Sequence, residues 1–116
     1  MRAELRFPDP SANPYLAFTA MLAAALEGID GQRTPPEPLN NINVYHLSPV
    51  ERAALNIREL PGSLAEALRE LENDTLLKDA LGEAAYEAFT RAKWAEVEES
   101  RRKVTDWEVE RYLEVA

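Results

Sequence analysis

Charged and apolar residues alternate over residues 2–7, and this pattern predicts a β-strand at the start of the chain. Successive side chains of a strand point to opposite faces, so Arg2, Glu4 and Arg6 would share one face. The apolar residues between them would point towards a core. A lone strand is unstable because its backbone donors and acceptors need a partner. No other segment alternates well enough to pair with it, which indicates that the partner lies outside these residues.

The next segment predicts a helix that is apolar on nearly all sides. Asn13-Pro14 is typical of a helix start with proline at the first helical position, and the apolar pattern then runs over 14–27. A helix of this kind is expected to be buried. A chain of 116 residues offers little material to bury it, which again indicates missing partners. Glycine, proline and asparagine then predict a long loop over 28–47.

The region 48–116 is predicted to be helical. Ser48, Ser63 and Thr105 each precede a glutamate by three residues, as in a capping box. Gly82 separates a short helix near 75–81 from a longer one at about 83–104, and a last helix is expected over 106–115. The predicted fold class is therefore α+β but predominantly α-helical, with one N-terminal strand followed by a helical cap in a single domain, 1–116.

Composition narrows the class of protein. The net charge of −8 argues against nucleic-acid binding through general electrostatics. The chain has no cysteine, which is compatible with a reducing cytoplasm. Its longest nearly apolar run, 15–26, is shorter than the roughly 20 residues of a membrane span. There is also no signal-peptide pattern. We expect a cytoplasmic protein without nucleic-acid or membrane partners.

Residue patterns alone leave the candidate chemistry open. The face formed by Arg2, Glu4 and Arg6 suits a site that holds an anion beside a divalent cation. On the pattern alone, a solvated strand face with internal salt bridges is the favoured interpretation. His46 lacks the neighbours of a metal site and is interpreted as a surface or loop residue. Tyr45 is either a modification target or a packing aromatic, and packing is favoured.

A group of aromatic and aliphatic residues on the C-terminal helices could form a core seam or a docking surface. It consists of Trp94, Trp107 and Tyr112, with Leu113 and Val115. We favour docking for the final helix, because a neighbouring subunit can easily hold a terminal element.

The opening residues, Arg-Ala-Glu-Leu-Arg-Phe-Pro-Asp-Pro-Ser-Ala-Asn-Pro-Tyr-Leu over 2–16, strongly resemble the last catalytic strand and following helix of type I (bacterial) glutamine synthetase. The similarity continues in order through Leu-Ala-Ala-Ala-Leu-Glu-Gly-Ile at 22–29 and Asn-Val-Tyr at 43–45. It then includes Leu-Pro-Gly-Ser-Leu-Ala-Glu-Ala-Leu at 60–68, Ala-Leu-Gly-Glu at 80–83 and Trp-Glu-Val-Glu-Arg-Tyr at 107–112. It thus covers essentially the whole chain.

This resemblance implies a role for each residue of the charged face. The family joins ammonia to glutamate with ATP, through a γ-glutamyl phosphate, at two or three Mg²⁺ or Mn²⁺ ions. Glu4 would be a metal ligand and Arg2 would lie near the phosphates being transferred. Arg6 would contact the substrate glutamate or the phosphorylated intermediate. The family's other metal ligands and most of its ATP pocket lie upstream of this motif. We therefore expect the chain alone to be inactive and to bind no cofactor tightly.

The sequence departs from the family pattern in places. Ala25 replaces a usual glycine, a change that a helix tolerates. Tyr45 aligns with a tyrosine that some members adenylylate, but its surroundings resemble the subtype that is not modified. In that subtype a Val-His-x-Trp-Glu tail contributes to subunit contacts and regulator binding, and the corresponding residues 104–108 of this chain have the histidine replaced.

Two interpretations of the chain's role remain. It is the C-terminal portion of a glutamine synthetase, or it is a free-standing module derived from one. Such a module would bind synthetase subunits or a nitrogen regulator. Either interpretation predicts self-association or association with glutamine synthetase subunits. An unrelated helical domain is the least favoured interpretation.

Overall fold

The structure is a computed structural model that describes residues 4–6 and 8–113. Helices make up its regular structure. They are α1 (Pro14–Asp30), a 3₁₀ turn (Val44–His46), α2 (Pro49–Ala54), α3 (Leu64–Asn73), α4 (Thr75–Leu81), α5 (Glu83–Arg101) and α6 (Asp106–Tyr112). The first helix is three residues longer than predicted, and the long connection after it is correspondingly shorter.

The prediction of an N-terminal β-strand is wrong for the part of that segment that the structure describes. Residues 4–6 are not in a strand, and the described ranges contain no strand with which they could pair. A strand exists only as part of a hydrogen-bonded ladder, so an alternating pattern without a partner does not produce one. Residues 2, 3 and 7 of the predicted strand lie outside the described residues.

Side-chain caps start most of the helices as the sequence predicts. Asn13 Oδ1 accepts hydrogen bonds from the backbone N–H groups of Tyr15 and Leu16, at 3.0 and 3.3 Å. Full capping boxes are present at Ser48 and Thr105. Ser63 caps α3, but the carboxylate of Glu66 accepts from the N–H of Gly62 at 2.8 Å. The third capping box is therefore incomplete, because its glutamate reaches one residue too far back.

The central packing joins α1 to α4, and α3, α4 and α5 to one another. Leu68 of α3 and Val97 of α5 are the buried hydrophobic residues among those described, and Leu68 is 2% exposed. The indole Nε1 of Trp94 donates to the carboxylate of Glu72 at 2.6 Å, which links α5 to α3. Helix α1 has no buried residue, so the described residues do not provide the burial that its apolar sequence predicts.

The molecule exposes far more surface than a folded domain of its size. Its accessible surface is 10557 Å², against about 6,400 Å² expected for a compact monomer of 13.1 kDa. Its radius of gyration is 18.6 Å, against about 13 Å expected. Exposed large apolar side chains occur on α1, α2 and α6. The helices are therefore packed less closely than those of a compact domain of this mass.

Within the described ranges, no helix is both long enough and apolar enough to cross a membrane.

The two capping boxes predict a dependence of helix stability on pH. Hydrogen bonds from Ser48, its hydroxyl first and then its backbone N–H, lower the pKa of Glu51. The backbone N–H of Thr105, followed by its hydroxyl, lowers the pKa of Glu108. A carboxyl whose pKa is lowered by folding stabilises the folded state above its unfolded pKa, about 4.3 for glutamate. That stability is lost as the pH falls through the lower, folded pKa.

We therefore expect α2 and α6 to fray before α3 and α5 as the pH falls from about 5 towards 3. Residue-resolved amide exchange by NMR would measure this order. In the double variant Glu51→Gln, Glu108→Gln, the amides of α2 and α6 should have the same protection factors at pH 6 and pH 3.5. Equal protection of α2 in the unsubstituted chain at both values would contradict the prediction.

Candidate functional site

An ion pair lies at the beginning of the described chain. The guanidinium Nε of Arg6 donates to a carboxylate oxygen of Glu4 at 2.6 Å. The Arg6 side chain is 87% exposed and that of Glu4 is 47% exposed. A carboxylate and a guanidinium therefore lie on the same side of the segment. The third residue of the predicted charged face, Arg2, lies outside the described residues.

A short turn connects this ion pair to α1. Asp9 accepts hydrogen bonds from the backbone N–H and the hydroxyl of Ser11, at 2.6 and 2.5 Å. These bonds lower the pKa of Asp9, with the hydroxyl contributing most. The N–H of Ala12 donates to the carbonyl of Asp9 at 2.9 Å, and Asn13 then caps α1. The charged segment is thus held close to the N-terminus of a long helix.

The apolar side of the segment faces a hollow against α1. Leu5 and Pro8 line it from the segment, and Phe18 and Met21 line it from the helix. Its volume is about 400 Å³, and Leu5 remains half exposed. The alternation of the sequence therefore corresponds to two different sides, one charged and one apolar, although no ladder forms within the described residues. The hollow on the apolar side is open to solvent.

Glu4 and Arg6 could form part of a site that binds a metal ion and an anion. A Mg²⁺ ion requires about six oxygen ligands, and Glu4 can supply one or two of them. The described residues contain no group of three or more histidine, cysteine, aspartate or glutamate side chains that could hold a metal ion. Arg6 presents a planar fork of N–H donors suited to a carboxylate or a phosphate. The pair itself contributes little stability, because it is solvent-exposed.

Other functional candidates from the sequence are exposed to solvent and lie away from the Glu4–Arg6 pair in the sequence. Tyr45 is 93% exposed in the 3₁₀ turn, so the favoured packing interpretation is wrong for the described structure. His46 is also exposed, in agreement with a surface residue. Trp107 and Tyr112 form an edge-to-face pair with ring centroids 6.0 Å apart, and both rings are mostly exposed.

The structure also contains an apolar groove that sequence patterns did not indicate. It lies where α1 meets α4 and α5 and has a volume of about 540 Å³. Leu16, Leu77 and Phe89 line it, and Asn13 and Lys93 stand among its polar residues. These residues come from helices that are distant in sequence. Only the packing of the helices reveals such a groove.

Comparison with known proteins defines the class. A family model described as glutamine synthetase, catalytic domain, matches residues 1–112, which is nearly the whole chain. The chain therefore belongs to the glutamine synthetase catalytic-domain family.

Individual relatives agree with this assignment. The chain is 49% identical over 112 residues to the glutamine synthetase of Thermotoga maritima, covering 97% of this chain and 25% of that protein. The corresponding values for the glutamine synthetase of Methanocaldococcus jannaschii are 48%, 97% and 24%. A solved structure of a GmaS/ADP complex superposes with a TM-score of 0.73 at 40% identity, over 95% of this chain and 24% of that one. The chain spans about a quarter of the length of the curated relatives it matches.

Proposed function

We propose that these 116 residues are the C-terminal part of a type I glutamine synthetase catalytic domain, and that they supply one metal ligand and two arginines to its active site. The observation that carries the proposal is the Glu4–Arg6 ion pair at the head of α1. It lies in a chain that matches the family model over residues 1–112. The reaction would be the ATP-dependent ligation of ammonia to glutamate, in the cytoplasm.

Glu4 would hold a Mg²⁺ or Mn²⁺ ion beside the nucleotide phosphates. Bound there, the ion would neutralise phosphate charge during transfer. The Glu4 side chain is about half exposed, so its carboxylate is accessible to an ion. The related GmaS protein was solved as a complex with ADP, which supports a nucleotide site in the family.

Arg6 would bind the substrate side of the reaction. Its guanidinium is exposed, so it can exchange the carboxylate of Glu4 for that of a substrate glutamate at little cost in free energy. Glu4 would pair less strongly with Arg6 while serving as a metal ligand, which would leave the guanidinium available to the substrate. Arg2 would place a fixed positive charge near the phosphates, where negative charge develops. The remaining ligands would come from other parts of a complete enzyme.

A second candidate function is a free-standing interaction module that binds glutamine synthetase subunits or a nitrogen regulator. The observation that favours it is the large exposed apolar surface of α1 and α6. Surfaces of this kind mark protein–protein contacts. In that case Glu4 and Arg6 would have no role in catalysis.

A chimaera tests the proposed function and separates it from the second candidate. The 112 residues of the Thermotoga maritima enzyme that match this chain would be replaced by residues from this chain, and glutamine formation from ATP, glutamate and ammonium measured with Mn²⁺. We expect the chimaera to be active. The 116-residue chain alone should form no glutamine above a Glu4→Ala control. A folded but inactive chimaera would contradict the proposal and favour the interaction module.

A further inference from the structure

The turn before α1 has few backbone donors to fix its shape. It lies between residues 4–6, the charged segment, and the start of the helix. Pro8 and Pro10 stand on either side of Asp9 and provide no backbone N–H. The N–H of Ala12 donates to the carbonyl of Asp9 at 2.9 Å and closes the turn. A side-chain acceptor therefore has a large share in holding this segment.

The carboxylate of Asp9 is that acceptor. Its Oδ1 atom accepts from the backbone N–H of Ser11 at 2.6 Å and from the Ser11 hydroxyl at 2.5 Å. The negative charge strengthens both hydrogen bonds, and they in turn lower the pKa of Asp9. Asn13 then caps α1 directly after the turn. Asp9 thus ties the direction of the incoming chain to the first turn of the helix.

Asp9 also lies between the two cavities beside α1. It lines the hollow of about 400 Å³ together with Leu5 and Phe18. It lines the groove of about 540 Å³ together with Leu77 and Lys93, which belong to α4 and α5. The turn therefore stands between the charged segment and the helical body. A change in the turn would change the direction in which the charged segment leaves that body.

The hydrogen bonds of the turn join residues only two or three positions apart, so they do not depend on what covers the rest of the chain. We propose that Asp9 is a positioning residue. Through Ser11, its carboxylate fixes the angle at which the charged segment leaves α1, and this angle holds Arg6 at the substrate. The role rests on the proposed function, which assigns substrate binding to Arg6. Asp9 would act through Arg6 and not by touching the substrate or the metal.

Kinetics of the chimaera test this role. Asp9→Ala removes the acceptor, and kcat/KM for glutamate should fall about 10–100-fold, because a misplacement of about 1 Å can cost about 100-fold. Asp9→Asn keeps an oxygen at Oδ1 and should stay within about fivefold of the parent. Glu37→Ala is the matched control for the loss of an exposed carboxylate and should stay within about twofold. Asp9 is exposed, so the helical circular dichroism should not change.

A double-variant cycle with Arg6→Lys shows whether Asp9 acts through Arg6. In the Arg6→Lys background, Asp9→Ala should lower kcat/KM for glutamate by no more than about threefold, because the contact that Asp9 positions is already weakened. A purely structural role of Asp9 would give the same loss in both backgrounds. The cycle therefore separates positioning from a general effect on stability.

Amide exchange in the 116-residue chain tests the turn without any measurement of activity. The amides of Ser11 and Ala12 donate within the turn and should be protected in the parent and in Asp9→Asn. Their protection factors should fall at least about tenfold in Asp9→Ala, because the charged acceptor is lost.

Three results would overturn the proposed role of Asp9. They are unchanged protection of Ser11 in Asp9→Ala, equal kinetics of Asp9→Ala and Glu37→Ala in an active chimaera, and equal losses in the two Arg6 backgrounds. A folded chimaera that forms no glutamine before any substitution would instead contradict the proposed function. The two failures are therefore distinguishable.

Discussion

Glu4→Gln in the chimaera is expected to lower kcat by more than about 100-fold at an Mn²⁺ concentration that just saturates the unsubstituted chimaera. Glutamine has the same shape as glutamate but lacks its negative charge, so it is a much weaker ligand for a hard divalent cation. Removing one strong contact to a transition state lowers kcat by about 10²–10³-fold. We expect the loss of a metal ion that stabilises phosphoryl transfer to lower kcat by a similar factor. The effect should be on kcat more than on the KM for glutamate, because the proposed ion would act on the phosphates.

Glu37→Gln is the matched control for this prediction. Glu37 is an exposed glutamate in the connection after α1, and the same change there should leave kcat within about twofold. Arg6→Lys provides the contrasting variant, because it keeps the charge but loses the planar fork. It should raise the KM for glutamate. Equal kinetics for Glu4→Gln and Glu37→Gln would remove Glu4 from the site.

Leu68→Ala is expected to unfold the helical part of the 116-residue chain, with a loss of about 2–5 kcal/mol in the free energy of unfolding. Leu68 is 2% exposed and sits where α3 packs against α4 and α5. Few other side chains in the described residues are buried, so little remains to offset the loss. Urea denaturation followed by circular dichroism measures it.

Leu60→Ala serves as the comparison for Leu68→Ala. Leu60 is 72% exposed, and truncating it should change the free energy of unfolding by no more than about 0.5 kcal/mol. Similar losses for both variants would mean that α3, α4 and α5 do not pack as described. A loss at Leu68 alone would locate the stability of the chain in this small helical core.

Local features of the fold could be predicted from sequence because local interactions determine them. Asn13, Ser48 and Thr105 cap helices through hydrogen bonds to residues two or three positions away. Gly82 adopts a φ of 75°, a conformation that favours glycine, and separates α4 from α5 as predicted. Each of these features depends on a few neighbouring residues, so a single sequence is sufficient.

The strand was predicted wrongly, and the described residues do not provide the burial predicted for α1, because both features depend on partners. An alternating pattern at residues 2–7 indicates what a strand would present on each face, but it does not supply a second strand. The apolar surface of α1 indicates that something should cover it, but the described residues cover only one side. The groove between α1, α4 and α5 was missed for the same reason. Its lining residues are brought together only by tertiary packing.

The candidate site was predicted by alternation and by family resemblance together. Alternation placed Glu4 and Arg6 on one side, and the structure pairs them at 2.6 Å. Their roles in binding metal and substrate came from the resemblance alone and remain predictions. The chemistry of two exposed charged residues does not distinguish a solvated ion pair from part of an active site. Only ligand binding in a complete enzyme makes that distinction.

Titration of Mn²⁺ into the chimaera, followed by calorimetry and by the electron paramagnetic resonance of free Mn²⁺, tests the central claim most directly. If Glu4 is a ligand, the Glu4→Gln chimaera should bind one fewer ion per subunit, or bind that ion at least about tenfold more weakly than the Glu37→Gln chimaera. Identical stoichiometry and affinity in the two variants would contradict the claim that this chain contributes a metal ligand.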